Sequence, residues 1–241
     1  MSYSFTKANK HYMYTFDAVT ARGTSYSYIA WVRHTAVAAS EEQIVAWTDS
    51  VDSINYTHLS LYDSGNELWL DRKTGTGPTQ NAVHTTSPNP ASGSWVMVHG
   101  RHGSATDNII GFGGGNEVSD ATSIVPAVTI DRFFIGSRFV GDTGGAYEGK
   151  IAIVAFYNNY KLTTGDLAAL LTMPPSDHAG SYANCLSYFD MRTDQGTSQI
   201  NDQKSSNHLT LGGTTGTPTF SSDNPTFAST PAGRMLLTGI G

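Results

Sequence analysis

The chain has 241 residues, 39% hydrophobic and 11% aromatic, enough to build a core as one large all-β domain or two small ones. Charged residues make up 14%, against roughly 25% in an average soluble protein, and the net charge of −6 is spread without a run of Lys or Arg, which excludes nucleic acid bound by phosphate neutralisation. A single cysteine, Cys185, excludes an intramolecular disulfide and a Cys-based zinc cage.

Gly, Ser, Thr and Asn take the place of the missing charge, the composition of a turn-rich β protein. The N-terminal stretch "MSYSFTKANKHYMYTFDAVT" has no apolar run of signal-peptide length. No segment reaches 18 consecutive apolar residues, so no membrane partner is expected. The expected product is made in the cytoplasm and leaves it by lysis or as part of a particle.

In chain order, "YMYTFDAV" (12–19) and "SYSYIAWVRH" (25–34) alternate as strands, the second with Tyr26, Tyr28, Ala30 and Val32 opposite Ile29 and Trp31. "QIVAWTDS" follows. In "THLSLYDSGNELWLDR" the tetrapeptide 63–66 reads as a hairpin turn between alternating runs. After a Gly/Pro/Thr-rich loop over 74–94, "SWVMVHGRH" resumes as a strand, and "NIIGFGGGNEV" reads as strand, tight turn, strand. "IDRFFIGSRFV" (130–140) and "GKIAIVAFYNNY" (149–160) are the densest apolar runs and predict central strands. One short helix is predicted near 163–173, capped by Thr163 or Thr164 and stopped by Pro174 and Pro175. The stretch 174–181 reads as a linker. The fold class is all-β, an antiparallel jelly-roll-like sandwich.

The succession "YSYIAWVRH", "GSWVMVHGRH", "DRFFIGSR", "YEGKIAIVAFYNNYKLTTGDLAALL" resembles the laminin-G-like, concanavalin-A-like sandwich domains over about Tyr12 to Leu171. The later stretch "LSYFDMRTDQGTSQINDQKSSNHLTLGG" resembles the opening of such a domain, with Asp202, Ser205, Asn207, His208, Leu209, Thr210 and Leu211 in an Asp-x-x-Ser-x-Asn-His-Leu-Thr-Leu pattern. In the family this element commonly precedes the Trp strand, whereas here it follows the helix. The expected division is a sandwich over 1–173 and an extension over 174–241. The extension either completes the same sandwich in permuted order or covers the sheet edge of a neighbouring copy.

Chains of this outline are similar to tailed-phage virion proteins. The resemblance implies a non-enzymatic structural protein of the virion, a capsid decoration subunit on the particle exterior. It would contact other virion proteins such as the major capsid protein and assemble as a homo-oligomer. The alternative is a glycan-binding module of a tail appendage, and a third possibility is a polysaccharide-cleaving enzyme.

No catalytic residues are assigned, because the Glu-x-Asp-x-Glu strand pattern of the related β-glucanases is missing. Glu41 and Glu42 point to opposite faces if extended, and Glu67 and Asp71, with Trp69 between them, read as a solvated strand face. His99 and His102 fall on opposite faces, while the spacing leaves open whether His34, His58 and His84 converge. Cys185 reads as a buried small hydrophobe and "GFGGGNE" as a hairpin, not a phosphate loop. No cofactor is expected, with calcium the exception: the resemblance implies a rim site, for which Asp107, Asp120 and Asp142 are candidates. Tyr12, Tyr14, Trp47, Tyr56 and Trp69 are candidate sugar-stacking platforms, with core packing as the competing role. Met235, Leu236, Leu237 and Ile240 form an apolar end that reads as a docking segment or a satisfied edge strand.

Overall fold

The computed structural model describes residues 2–15, 23–35, 41–49, 55–62, 67–73, 80–85, 93–114, 116–121, 132–140 and 145–227. In chain order the strands are β1 (Ser2–Phe5), β2 (Tyr12–Thr15), β3 (Tyr26–His34), β4 (Glu42–Thr48), β5 (Tyr56–Tyr62), β6 (Glu67–Lys73), β7 (Gln80–Thr85) and β8 (Val96–Ser104). They continue with β9 (Asp107–Phe112), β10 (Asn116–Asp120), β11 (Arg132–Ile135), β12 (Gly149–Asn158), β13 (Cys185–Asp190), β14 (Gln199–Ile200), β15 (Leu209–Gly212) and β16 (Thr219–Ser221). Two antiparallel sheets result. Sheet A runs β10-β9-β8-β3-β12-β1-β16, with β13 also on β12, and sheet B runs β14-β15-β2-β11-β4-β5-β6-β7.

Period-2 alternation divides each strand between a shared interior and an outer surface. On β3, Tyr26, Tyr28, Ala30 and Val32 enter the interior, while Ile29 and Trp31 join a second apolar cluster on the outside of sheet A. The two densest runs form central strands: β11 lies between β2 and β4, and β12 between β3 and the β1/β13 edge. Their side chains meet across the interior, with the Phe133 and Phe156 rings stacked at 3.9 Å between centroids.

The outer cluster of sheet A is covered by α1 (Thr164–Leu170), which buries Leu167 and Leu170. Thr163 caps it in a capping box: its hydroxyl accepts from the Asp166 N–H, and the Asp166 carboxylate accepts from the Thr163 N–H at 2.7 Å. The stretch expected to be a linker is structured. Pro175–Asp177 form a 3-10 turn, and a second short helix, α2 (Ala179–Ala183), starts at His178, whose Nδ1 accepts from the Ser181 N–H. Five residues give too weak a periodic signal to predict, so one expected helix is two.

The extension supplies strands to both sheets of its own chain. β13 pairs with β12 (Ala155 opposite Tyr188), β15 with β2 (Leu211 opposite Met13) and β16 with β1 (Tyr3 opposite Phe220). The motif over 202–211 ties these strands together. The Asp202 carboxylate accepts from the N–H groups of Tyr188 and Lys204, both at 2.9 Å, and Asn207 donates to the Ser187 hydroxyl at 2.8 Å. His208 accepts from the Asp202 N–H through Nδ1. Cys185 is buried, and its thiol donates to the Ser187 carbonyl, while burial pushes its pKa well up.

Beyond β16, Asp223 is held by Arg33, by Lys150 at 3.1 Å and by the Trp95 indole N–H at 3.1 Å. Phe227 then packs edge-on against Trp31 at 5.3 Å. Partial burial alone would raise the Asp223 pKa, but the hydrogen bonds from Trp95, Lys150 and Arg33 outweigh it and hold it at about 2.

A chain ending at Met173 is expected to lose cooperative unfolding, because it would leave edges of β12, β1 and β2 unpaired and remove Phe189 from the interior. Circular dichroism against urea reads this, and a folded 1–173 unit would refute it. Because the Asp223 pKa is depressed, its contribution is complete above its ordinary value of 3.8 and is lost as pH falls through about 2. Hydrogen exchange in β16 is therefore expected to accelerate in that window before exchange in β12 does.

Candidate functional site

The outer face of sheet B concentrates the polar chemistry. Met13, Val45, Trp47, Leu59, Leu61, Leu68, Leu70, Phe133 and Ile135 point inward, so their strand neighbours point out. Register then fixes one cross-strand row: Tyr14, Phe134, Ala46, His58 and Asp71 lie side by side on β2, β11, β4, β5 and β6. In the row beside it, Gln43, Ser60 and Trp69 are neighbours.

A β-bulge decides which glutamate joins this face. The register between β4 and β5 shifts between Gln43 and Val45, so Ile44 is an extra residue, and it is buried in the interior next to Val45. Strict alternation back from Val45 would have sent Glu42 outward and Glu41 inward. With the bulge, Glu41 reaches His58 on the outer face, and Glu42 enters the interior, where its carboxylate accepts from the Glu148 N–H at 3.1 Å and lies 3.3 Å from His34 Nδ1. Burial pushes the Glu42 carboxyl up to about 7, and burial lowers His34.

His58 is 0% exposed, and its Nε2 lies 2.6 Å from a Glu41 oxygen and 2.9 Å from an Asp71 oxygen. Burial alone would lower the imidazole pKa, but Asp71 and Glu41 outweigh it and raise it to about 9. Burial alone would raise Glu41, but His58, with Gln43 and Arg138, holds it at about 2. An imidazolium clamped between two carboxylates results. Gly136, at φ +80°, turns the chain out of β11, and Arg138 comes to lie over the Tyr56 ring at 5.2 Å. Tyr56 in turn stacks on His58, with centroids 5.0 Å apart.

Toward the β6 side, Trp69 is half-buried, its indole N–H donates to Glu67 at 2.8 Å, and its ring lies 4.8 Å from that of Tyr62, which is 38% exposed. Toward β2, Tyr12 and Tyr14 are half-buried and pack on Phe134 at 6.5 and 6.0 Å.

The structure thus puts Tyr12, Tyr14, Tyr56 and Trp69 on one face, but Tyr56 is a correction as a sugar platform, being 5% exposed with His58 stacked on its ring and Arg138 lying over it. Trp47 is a correction: it is 0% exposed, packed against Phe133 at 5.2 Å and Phe156 at 6.1 Å, so neither face of its ring is open to a sugar. The solvated face expected for Glu67 and Asp71 is also corrected, since Asp71 is 4% exposed and committed to His58. Tyr62 was missed because its single ring lies next to a turn signal. His99 and His102 do fall apart: His102 stacks on Tyr26 in the interior, and His99 faces Glu117 on the outside of sheet A.

Two of the three calcium candidates are described, and each is engaged by a different cation. Asp107 is engaged by Lys161 at 2.6 Å, while Asp120 lies 3.8 Å from the buried Arg72 between the sheets. Asp142 lies outside the described residues, as do Met235, Leu236, Leu237 and Ile240. Side-chain placement of His84 is likewise outside them. Among the described residues, Glu41, His58 and Asp71 are the group whose donor atoms converge with metal-ligand spacing, within 4.8 Å of one another. No helix among them is long and apolar enough to cross a membrane.

A family model described as the concanavalin A-like lectin/glucanases superfamily, Laminin_G_3, matches residues 7–168. No curated protein matches the chain. Among solved structures, tailspike protein 2 of an Escherichia coli O157:H7 bacteriophage superposes with a TM-score of 0.56 at 17% identity, over 78% of this chain and 26% of that one. The chain therefore spans about a quarter of that tailspike's length. Domains LG4-5 of the mouse laminin alpha1 chain give 0.50 at 16% identity, over 68% of this chain and 43% of that one. A heptameric pentraxin of Limulus polyphemus gives 0.51 at 12%, over 70% and 80%. At these identities the likeness is one of fold.

Replacing His58 by Ala leaves two carboxylates facing each other without their cation. The expected cost is about 3 kcal/mol, the low end for breaking a buried pair because Glu41 is partly open to solvent. Glu41→Gln keeps a hydrogen-bond acceptor and is expected to cost less. Guanidinium unfolding with an unchanged m-value measures both.

Proposed function

The chain belongs to the concanavalin A-like lectin/glucanases superfamily, and from that premise we propose that it is a non-catalytic, glycan-binding sandwich domain carried on a tailed-phage virion. The observation that carries this reading is the half-open aromatic pair on the outer face of sheet B. Trp69 is fixed by its hydrogen bond to Glu67 and sits 4.8 Å from the exposed Tyr62. A half-buried ring held by a hydrogen bond loses little entropy when a sugar stacks on it, and the Glu67 carboxylate bonded to it can also accept from sugar hydroxyls.

The non-catalytic part of the proposal rests on the carboxylates. Cleavage of a glycosidic bond needs two carboxyl groups flanking the sugar, about 5–9.5 Å apart, one of them protonated. Glu41 and Asp71 instead converge on one imidazole nitrogen, and Glu41 is held ionised down to about pH 2. The virion placement is supported by the tailspike likeness and the sequence resemblance, including the capsid-exterior position, self-association and contact with the major capsid protein expected from the latter.

A glycan array probed with the full chain is expected to give hits that Trp69→Ala abolishes and Tyr62→Ala weakens by about tenfold, with reducing ends never released. Binding that survives both substitutions, or release of reducing ends, would refute the reading. Mass spectrometry and immunogold labelling of purified particles are expected to find the chain on the virion, and labelling of the capsid or of the tail decides its position.

A further inference from the structure

We propose that Glu41, His58 and Asp71 form a binding site for one divalent transition cation of the zinc class, held by His58 Nε2 and one oxygen from each carboxylate. The three donor atoms lie within 4.8 Å of one another. They come from the foot of β4 and from facing positions of β5 and β6, so two of the ligands stand on a hydrogen-bonded ladder and the third is placed by the bulge at Ile44.

Hydrogen-bond accounting points to a cation at this spot. Nε2 carries at most one hydrogen, yet two carboxylate oxygens aim at it, at 2.6 and 2.9 Å. One N–H can lie along only one of those lines, so the other oxygen faces nitrogen without a proton of its own. A metal ion accepts all three lone pairs at once when the two carboxylates draw back to about 3.3 Å from Nε2, the spacing that bonds of about 2.0–2.1 Å make at a tetrahedral centre. The charge of the group does not oppose a cation: a divalent ion that takes the place of the ring proton sits between two carboxylates beside a His58 that is 0% exposed, with the Arg138 charge acting on Glu41 from outside the trio. Among the described residues His58 Nδ1 has no hydrogen-bond partner, and the ring is oriented from the Nε2 side and by the Tyr56 ring stacked on it.

The donor set selects the class of ion. One imidazole and two carboxylates suit zinc and its neighbours, while calcium takes six to eight oxygens, more than this site presents. Three protein ligands leave a fourth position, which opens where Glu41 is 25% exposed. A hydrogen bond from Gln43 and the charge of Arg138 both favour the ionised form of Glu41. The site stands on the same face as Trp69, two residues along β6 from Asp71, but the inference does not rest on glycan binding.

The test is calorimetric titration of the chelator-stripped full chain with ZnCl2 in the absence of any glycan, together with visible absorption after loading with Co2+. One equivalent is expected to bind with release of a proton. Glu41→Gln and Asp71→Asn are each expected to weaken binding by more than about tenfold, and the double variant to remove both the heat and the Co2+ bands. These near-isosteric changes leave His58 in place, and circular dichroism checks that each variant is folded. Absence of zinc binding to the unaltered chain would overturn the proposal, as would binding that persists in the folded double variant. Displacement of zinc by an equal concentration of CaCl2 would overturn the assignment of ion class.

Discussion

Phe133 of β11 and Phe156 of β12 stack with centroids 3.9 Å apart, each on the central strand of its sheet, and the rest of the sandwich is arranged around that contact. Trp47 and Phe189 close on the same pair, at 5.2 to 6.4 Å. Removing one large aromatic ring from such a core typically costs about 3–5 kcal/mol, a large part of the 5–15 kcal/mol by which domains are stable. Phe189 belongs to the extension, so β13 contributes to the centre of the interior.

Filling the interior from alternate positions leaves the other half of each strand to the outer surfaces. On sheet A part of that surface is an apolar cluster covered by α1 and by Phe227, and His99 faces Glu117 elsewhere on it. On sheet B it carries aromatic rings and a buried ionic trio in adjacent rows. The two features share a scaffold: Trp69 and Asp71 are successive outward residues of β6, so the ladder that orders the clamp also orders the Trp69 ring. Buried charges of this kind add little net stability and are costly to break, which makes the His58 cluster a constraint on the register of β4, β5 and β6.

Much of the fold was legible in the residues. The alternation on β3, the dense runs of β11 and β12 and the Thr163 cap each translate directly into the observed element, because each is a local pattern with a local physical cause. The 202–211 motif was equally legible, since its side chains bond within twenty residues of themselves. The site was legible only in pieces. Glu41 and Glu42 were seen to oppose each other and Asp71 to face outward, but their pairing with His58 depends on strand register and on one bulge, and the sequence around Ile44 carries no signal for either. Trp47 illustrates the converse: its strand alternates correctly, yet alternation does not say which of the two faces is the interior.

By itself, the amino-acid sequence determined the all-β class, the two central strands, the capped helix and the absence of a disulfide framework, because composition and short-range periodicity act before any long-range contact forms. Only the tertiary structure decided which aromatic rings remain open, which carboxylates meet an imidazole, and where the strands of residues 185–221 pair. Those outcomes depend on contacts between strands distant in the chain, where a shift of one residue reverses every side chain from one face to the other.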